Sequence, residues 1–339
     1  MTVQLSGGPG GEESDPFPVV ALASGERGPV AVVLRLADYG RRRAAALLVA
    51  ALLLAAVGVS AWALRPQPPL AGNAAHYAIM ARAILDGERS AKANREALAL
   101  FDKALAIDPD WVPALLGYAT VMLIDVGEGW VRPPERAARL DQAKAAVERA
   151  VNLDPGNYLA HQALGDVLRM RGDADGALAA LRRSLALNPN AAWSHAIIGR
   201  VKTDLGRAEE GLGDIEAAVG MTPSDHAIYV WYWWAGLAAA HTGRYETAVA
   251  WLEKAREARP LYRIPIPLLA VTYAETGREE EGRALIADYL KRSPHLSIAT
   301  LQRDFPARNE IVAEQRRRLL AVFRRLGVPD GTLKTGSAH

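Results

Sequence analysis

Five aromatic side chains crowd into one short stretch: Tyr229, Trp231, Tyr232, Trp233 and Trp234. Indole and phenol faces next to arginine bind peptide segments through stacking and cation–π contact. The same side chains can instead fill the space between packed helices, and the sequence leaves both uses open. The imidazoles are scattered, at His76, His161, His195, His226, His241, His295 and His339. His161 and His195 stand 34 residues apart, at a position that normally takes a bulky packing residue, and no carboxylate cluster accompanies them to suggest a metal. Cysteine is absent, which removes disulfides, thiol nucleophiles and thiolate metal sites. There is no phosphate-binding loop, nucleophile elbow, zinc-protease helix or calcium loop. The expectation is a chain that binds and does not catalyse, with no cofactor and no metal.

What positions the aromatic block is a repeat. The windows 158–191, 192–225, 229–262 and 263–296 are each 34 residues long and carry the same residue types at the same offsets. Offset eight is small: Gly165, Gly199, Gly236 and Ala270. Offset fifteen is Gly172, Gly206, Gly243 and Gly277. Offset twenty is Ala177, Gly211, Ala248 and Gly282, and offset thirty-two is Pro189, Pro223, Pro260 and Pro294. Small residues at eight and twenty let two helices approach. The glycine at fifteen ends the first helix in a left-handed cap, and the proline stops the second. Leu168, Leu181 and Leu185 mark a buried stripe at helical spacing.

Two further pairs precede these windows, one over 76–107 and ending at Asp108-Pro109, the next from Trp111 to Asp154-Pro155 with an insertion GEGWVRPP in its middle. Six helical hairpins exceed the three or so that a stable stack needs. The expected fold is therefore an all-α solenoid over 73–296. A C-terminal capping helix region is expected at 297–328, and its arginines (Arg316, Arg317, Arg318, Arg324, Arg325) are read as the polar outer face of a cap.

Ahead of the repeats, the run that begins at Ala44 and ends at Leu64 has no charge, and about 20 such residues span a hydrocarbon core. Arg41, Arg42 and Arg43 precede it and only Arg65 follows closely. The positive-inside rule then leaves the N-terminus in the cytoplasm and the repeats across the membrane. The expectation is a transmembrane anchor over 41–66, between tails at 1–40 and 329–339 that read as disordered. A cleaved signal peptide, with Ala61-Trp62-Ala63 as its site, is the alternative. A formal net charge of +2 gives no nucleic-acid footprint.

The 34-residue pattern resembles the tetratricopeptide-repeat (TPR) family. The anchor followed by AHYAIMARAIL, the block DHAIYVWYWWAGLAAAHTGRYETAVAWLEKA and the closing stretch from Phe305-Pro306 to Arg324-Arg325-Leu326-Gly327-Val328-Pro329 are more narrowly similar to one set of proteins. These are the repeat halves of bacterial membrane-bound regulators, where TPRs follow a cyclase or winged-helix domain. Neither output domain fits in the first 40 residues, so neither activity carries over. The TPR resemblance implies a groove lined by the first helix of each hairpin at offsets two, five, nine and twelve to thirteen. Those positions are Gln162, Asp166 and Arg169, then Trp193, Arg200 and Asp204, then Val230, Trp233, Leu237 and His241. The function it implies is a membrane-anchored protein-interaction scaffold or sensor in a bacterial inner membrane, with the repeats in the periplasm and a protein or peptide partner. The alternative is a subunit or remnant of a cyclase or transcriptional system whose output domain sits on another chain.

Overall fold

The computed structural model describes residues 73–331, apart from 88–89, 132, 226, 305–306 and 308. The expected anchor and the N-terminal tail lie outside these residues. Among the described residues no helix is long and apolar enough to cross a membrane.

The described residues form fourteen helices and no strand. Twelve of them pair into six hairpins. These are α1 (Ala74–Asp86) with α2 (Ala91–Ile107), α3 (Val112–Gly127) with α4 (Pro133–Leu153), and α5 (Tyr158–Arg171) with α6 (Ala174–Leu187). Then come α7 (Ala192–Asp204) with α8 (Ala208–Met221), α9 (Ile228–His241) with α10 (Tyr245–Ala258), and α11 (Ile266–Glu275) with α12 (Glu279–Arg292). A short α13 (Ile298–Asp304) and a longer α14 (Glu310–Arg325) follow.

The punctuation acts as its chemistry dictates. Gly172, Gly206, Gly243 and Gly277 all have positive φ, between 77° and 92°, which only glycine adopts without cost. Asn73, Ser90, Asn157, Asp173 and Asn309 cap their helices through side-chain oxygens. Where the hairpins close, the small residues leave no room for more. A Cβ on Gly199 would lie 2.5 Å from the Gly211 carbonyl oxygen, and one on Gly211 would lie 2.4 Å from that of Gly199.

Each second helix packs on its own partner and on the first helix of the next hairpin. The first helices of repeats one to four also pack on their successors, and successive second helices touch less. The stack therefore curves with its first helices on the inside. One continuous core runs through repeats three to six, with Leu181, Ile197, Leu212, Ile215, Trp231 and Leu252 at its centre. Repeats one and two have smaller cores of their own.

α14 does more than close the end of the stack. Its second half packs Leu320, Val322, Phe323 and Leu326 into a cluster with Val271 and Ile286 of repeat six. Its first half reaches back to repeat four, where Asn309 Nδ2 donates to the Leu205 carbonyl at 2.8 Å. The arginines of α14 are paired. Arg317 and Arg318 bond Glu314, and Arg325 bonds Glu275 at 2.8 Å and Glu279 at 3.3 Å.

Candidate functional site: the inner face of repeats three to five

The aromatic block divides on folding. Tyr229, Trp231 and Trp234 are buried, whereas Tyr232 and Trp233 stay half-exposed. Trp231 is fully enclosed and meets the Trp193 ring edge-on at 5.1 Å. Tyr232 turns to the hairpin partner and stacks on Trp251 at 5.5 Å. Both uses of the aromatics thus coexist on one helix, because a helix between two neighbours buries two faces and leaves a third open.

A ladder of cations and rings, most of it buried, reaches that open face at Trp233. Arg169 of repeat three lies over the Trp234 ring at 5.4 Å. Arg200 of repeat four lies over Trp234 at 6.0 Å and over Trp233 at 5.3 Å. Trp233 meets Tyr262 edge-on at 6.1 Å, Tyr262 meets Tyr229 at 4.7 Å, and Arg259 covers Tyr229 at 5.0 Å. Two of the three arginines in the ladder have their own carboxylate. Arg169 bonds Asp166 at 2.6 Å, and Arg200 bonds Asp204 at 3.0 Å. Arg200 is only 8% exposed, so Asp204 is what makes a charge tolerable among indoles.

The remaining expected residues are distributed as follows. Gln162 is half-buried, with Oε1 accepting from Ser194 Oγ at 3.4 Å. Ser194 is itself bonded to Ser184 at 2.8 Å across the repeat boundary. Trp193 donates Nε1–H to Asp225 at 3.2 Å. Val230 packs beside Trp193 and Trp233, and Leu237 lies against the main core. His241 sits at the far end, largely covered, and its pKa is pushed down to about 4. Burial is the main cause. The nearby Arg200 charge adds to it, while Asp204 and the Gln315 side chain oppose it. At pH 7 the Arg169 and Arg200 charges are balanced and the imidazole is uncharged, while Arg259 keeps its charge against the Tyr229 ring and donates to the Tyr229 hydroxyl at 3.3 Å. The face offers the partly exposed Trp233 indole together with amide and carboxylate edges, which suits an extended polypeptide with apolar side chains.

Sequence reasoning named Trp234 in the aromatic block without assigning it to the groove, and it missed Tyr262, Arg259 and Gln315. The spacing of Trp234 on α9 was a usable signal. Gln315 gave none, because it arrives from α14 by tertiary folding. The two spaced histidines each hydrogen-bond the turn before their own helix. His161 Nε2 bonds the Pro155 carbonyl at 3.0 Å and His195 Nε2 bonds the Pro189 carbonyl at 3.1 Å. Each ties its helix to the proline turn before it. Among the described residues, no group of three or more His, Asp or Glu is placed to hold a metal ion.

Stacked helical hairpins with an inner layer of first helices define a repeat solenoid. The tetratricopeptide-repeat family model matches residues 135–192 and 198–262, and these repeats are tetratricopeptide repeats. Arrays of this family act as protein-interaction scaffolds for protein or peptide partners. The sequence matches none of the curated proteins. Among solved structures, the chain is similar to a monomeric IFIT1 mutant with Gppp-AAAA, at 16% identity and a TM-score of 0.57. That match covers 74% of this chain and 59% of that one. It is also similar to the APC/C hetero-tetramer Cut9–Hcn1, at 17% identity and a TM-score of 0.55, covering 74% of this chain and 43% of that one. The chain thus spans less than half the length of the latter. At these identities the likeness establishes the fold.

Proposed function

We propose that this chain is a membrane-anchored scaffold or sensor that holds an extended segment of a partner protein on the inner face of repeats three to five. The observation that carries the reading is the ladder Arg169–Trp234–Arg200–Trp233, which keeps Trp233 half-exposed on the curved-in side of the stack. A half-exposed indole fixed between an arginine and a tyrosine edge is already ordered, so binding loses little side-chain entropy. The residues assigned to the contact are Gln162, Asp166, Arg169, Trp193, Arg200, Asp204, Val230, Trp233, Leu237 and His241.

The test is capture of partner proteins from the native membrane fraction, identified by mass spectrometry, by the full chain and by its Trp233→Ala variant. Loss of about 2 kcal/mol, a thirty-fold weaker interaction, is expected for a central aromatic anchor. Equal capture of the same proteins by both chains would remove Trp233 from the site.

The anchor reading rests on the uncharged run from Ala44 to Leu64 and the arginines before it. Protease added to spheroplasts should digest a C-terminal tag while the inner membrane is intact. Protection until lysis would put the repeats in the cytoplasm. The second reading, a regulatory subunit whose output domain sits on another chain, rests on the resemblance of α1, α9–α10 and α14 to the repeat halves of membrane-bound regulators.

A further inference from the structure

The first half of α14 stands over the end of the inner-face site. It starts at the turn of repeat four, where Ile311 packs on Gly206, and crosses repeat five at His241. It ends pinned on repeat six. A cavity of about 80 Å³ remains beneath it, lined by Ala240, His241, Thr242, Gln315, Arg318 and Leu319 among others. Gln315 lies beside His241, yet His241 Nδ1 and Gln315 Oε1 are both buried without a well-formed hydrogen bond.

The two halves of the helix are held very differently. Leu320, Val322, Phe323 and Leu326 are buried, and Arg325 is bonded to Glu275 and Glu279 of the stack. In the first half Ile311 is 59% exposed. Ion pairs within the helix itself run from Arg317 to Glu310 and Glu314 and from Arg318 to Glu314. These pairs survive if the segment leaves its seat, so lifting it breaks the Asn309–Leu205 and Arg316–Gln302 hydrogen bonds and the contacts at Gly206 and His241 but not the pairs within the helix. A segment with few buried contacts and self-contained polar pairs belongs to the low-stability end of a structure.

We infer that the first half of α14 is a strap that regulates the inner-face site. When seated, it walls off His241 and with it the neighbouring Arg200–Asp204 pair. When lifted about its pinned second half, it opens the site to an incoming polypeptide. This inference rests on the inner-face reading above and assigns it a built-in competitor, the chain's own helix. A partner that binds the site fully must displace the strap, so affinity is reduced by the fraction of molecules in which it is seated.

The chain has no cysteine, which permits a clean lock. A Cβ built at Gly206 lies 3.2 Å from that of Ile311, a few tenths of an ångström inside the usual disulfide separation, so a small outward shift is needed to form the bond. In the full chain carrying Gly206→Cys and Ile311→Cys, diethyl pyrocarbonate modification of His241 is followed by peptide mass, with His295 as the exposed reference. Oxidation is expected to slow His241 modification by about ten-fold, and reduction by a phosphine to restore it. Equal rates in the two states overturn the strap. Because Gly206 has positive φ and its replacement strains the turn, hydrogen exchange on the unaltered chain gives a second reading. Amides of 311–317 should exchange at least about ten-fold faster than those of 320–326, and uniform exchange along α14 overturns the inference. Neither readout involves Trp233, so failure here leaves the partner-capture result of that variant standing.

Discussion

Trp231 and Trp233 are two positions apart on one helix and have opposite roles. Trp231 is fully enclosed between repeats four and five, so Trp231→Ala should cost about 3–5 kcal/mol of stability, read as a shift in the denaturant midpoint. Trp233 is only partly buried, and its removal should cost about 1 kcal/mol of stability while weakening partner capture about thirty-fold. If the two variants lose similar stability, the division of the aromatic block between core and ladder is wrong. His241 adds a pH dependence of known sign. Above pH 6.5 its imidazole is neutral in both folded and unfolded chains. As pH falls from 6.5 to about 4, the unfolded chain takes up a proton that the folded site refuses. Stability is therefore lost through that window, and no more is lost to this group below it. The loss is on the order of 2–3 kcal/mol. Urea melts at pH 7 and pH 4.5 check it. The drop should be smaller by that amount in His241→Gln, since carboxylates such as Asp204 titrate in both chains.

At the scale of the element, two kinds of glycine separate. Gly243 has φ +77° and nothing within 4 Å of a built Cβ, so Gly243→Ala meets only backbone strain, about 1 kcal/mol. Gly199 sits in a helix where a Cβ would lie 2.5 Å from the Gly211 carbonyl. Gly199→Ala must push α7 and α8 apart and should cost about 2–3 kcal/mol. Thermal melts of the two variants rank them, and the reverse order would contradict the close approach of the hairpin. Both classes were legible in the sequence, because a residue chosen for the absence of a side chain recurs wherever the backbone geometry recurs.

The whole array is a chain of neighbours, and its core is uneven along its length. Repeats three to six share one large cluster, while repeats one and two rely on smaller ones. A stack of this kind unfolds as a sum of repeat and interface terms and not always in one step. Tryptophan emission reports mainly on repeats four and five, where Trp193, Trp231, Trp233, Trp234 and Trp251 lie, whereas circular dichroism reports on all helices. The fluorescence midpoint in urea is expected above the dichroism midpoint. Coincident curves would show that the weaker end is as stable as the rest.

The amino-acid sequence alone determined the helical hairpins, their number and their turns. Each is set by local chemistry: a capping oxygen, a left-handed glycine, a proline, a small residue facing another. It also singled out α9, because five aromatics in six positions are conspicuous in any fold. Tertiary structure decided which rings face the partner side, since that depends on how neighbouring repeats close over α9. It paired Arg169 and Arg200 with rings two repeats and one repeat away, respectively. It also laid α14 back across three repeats instead of leaving it at the end. A helix's amphipathic pattern fixes that it must bury one face, but the place where it buries that face is chosen by long-range packing that no local pattern records.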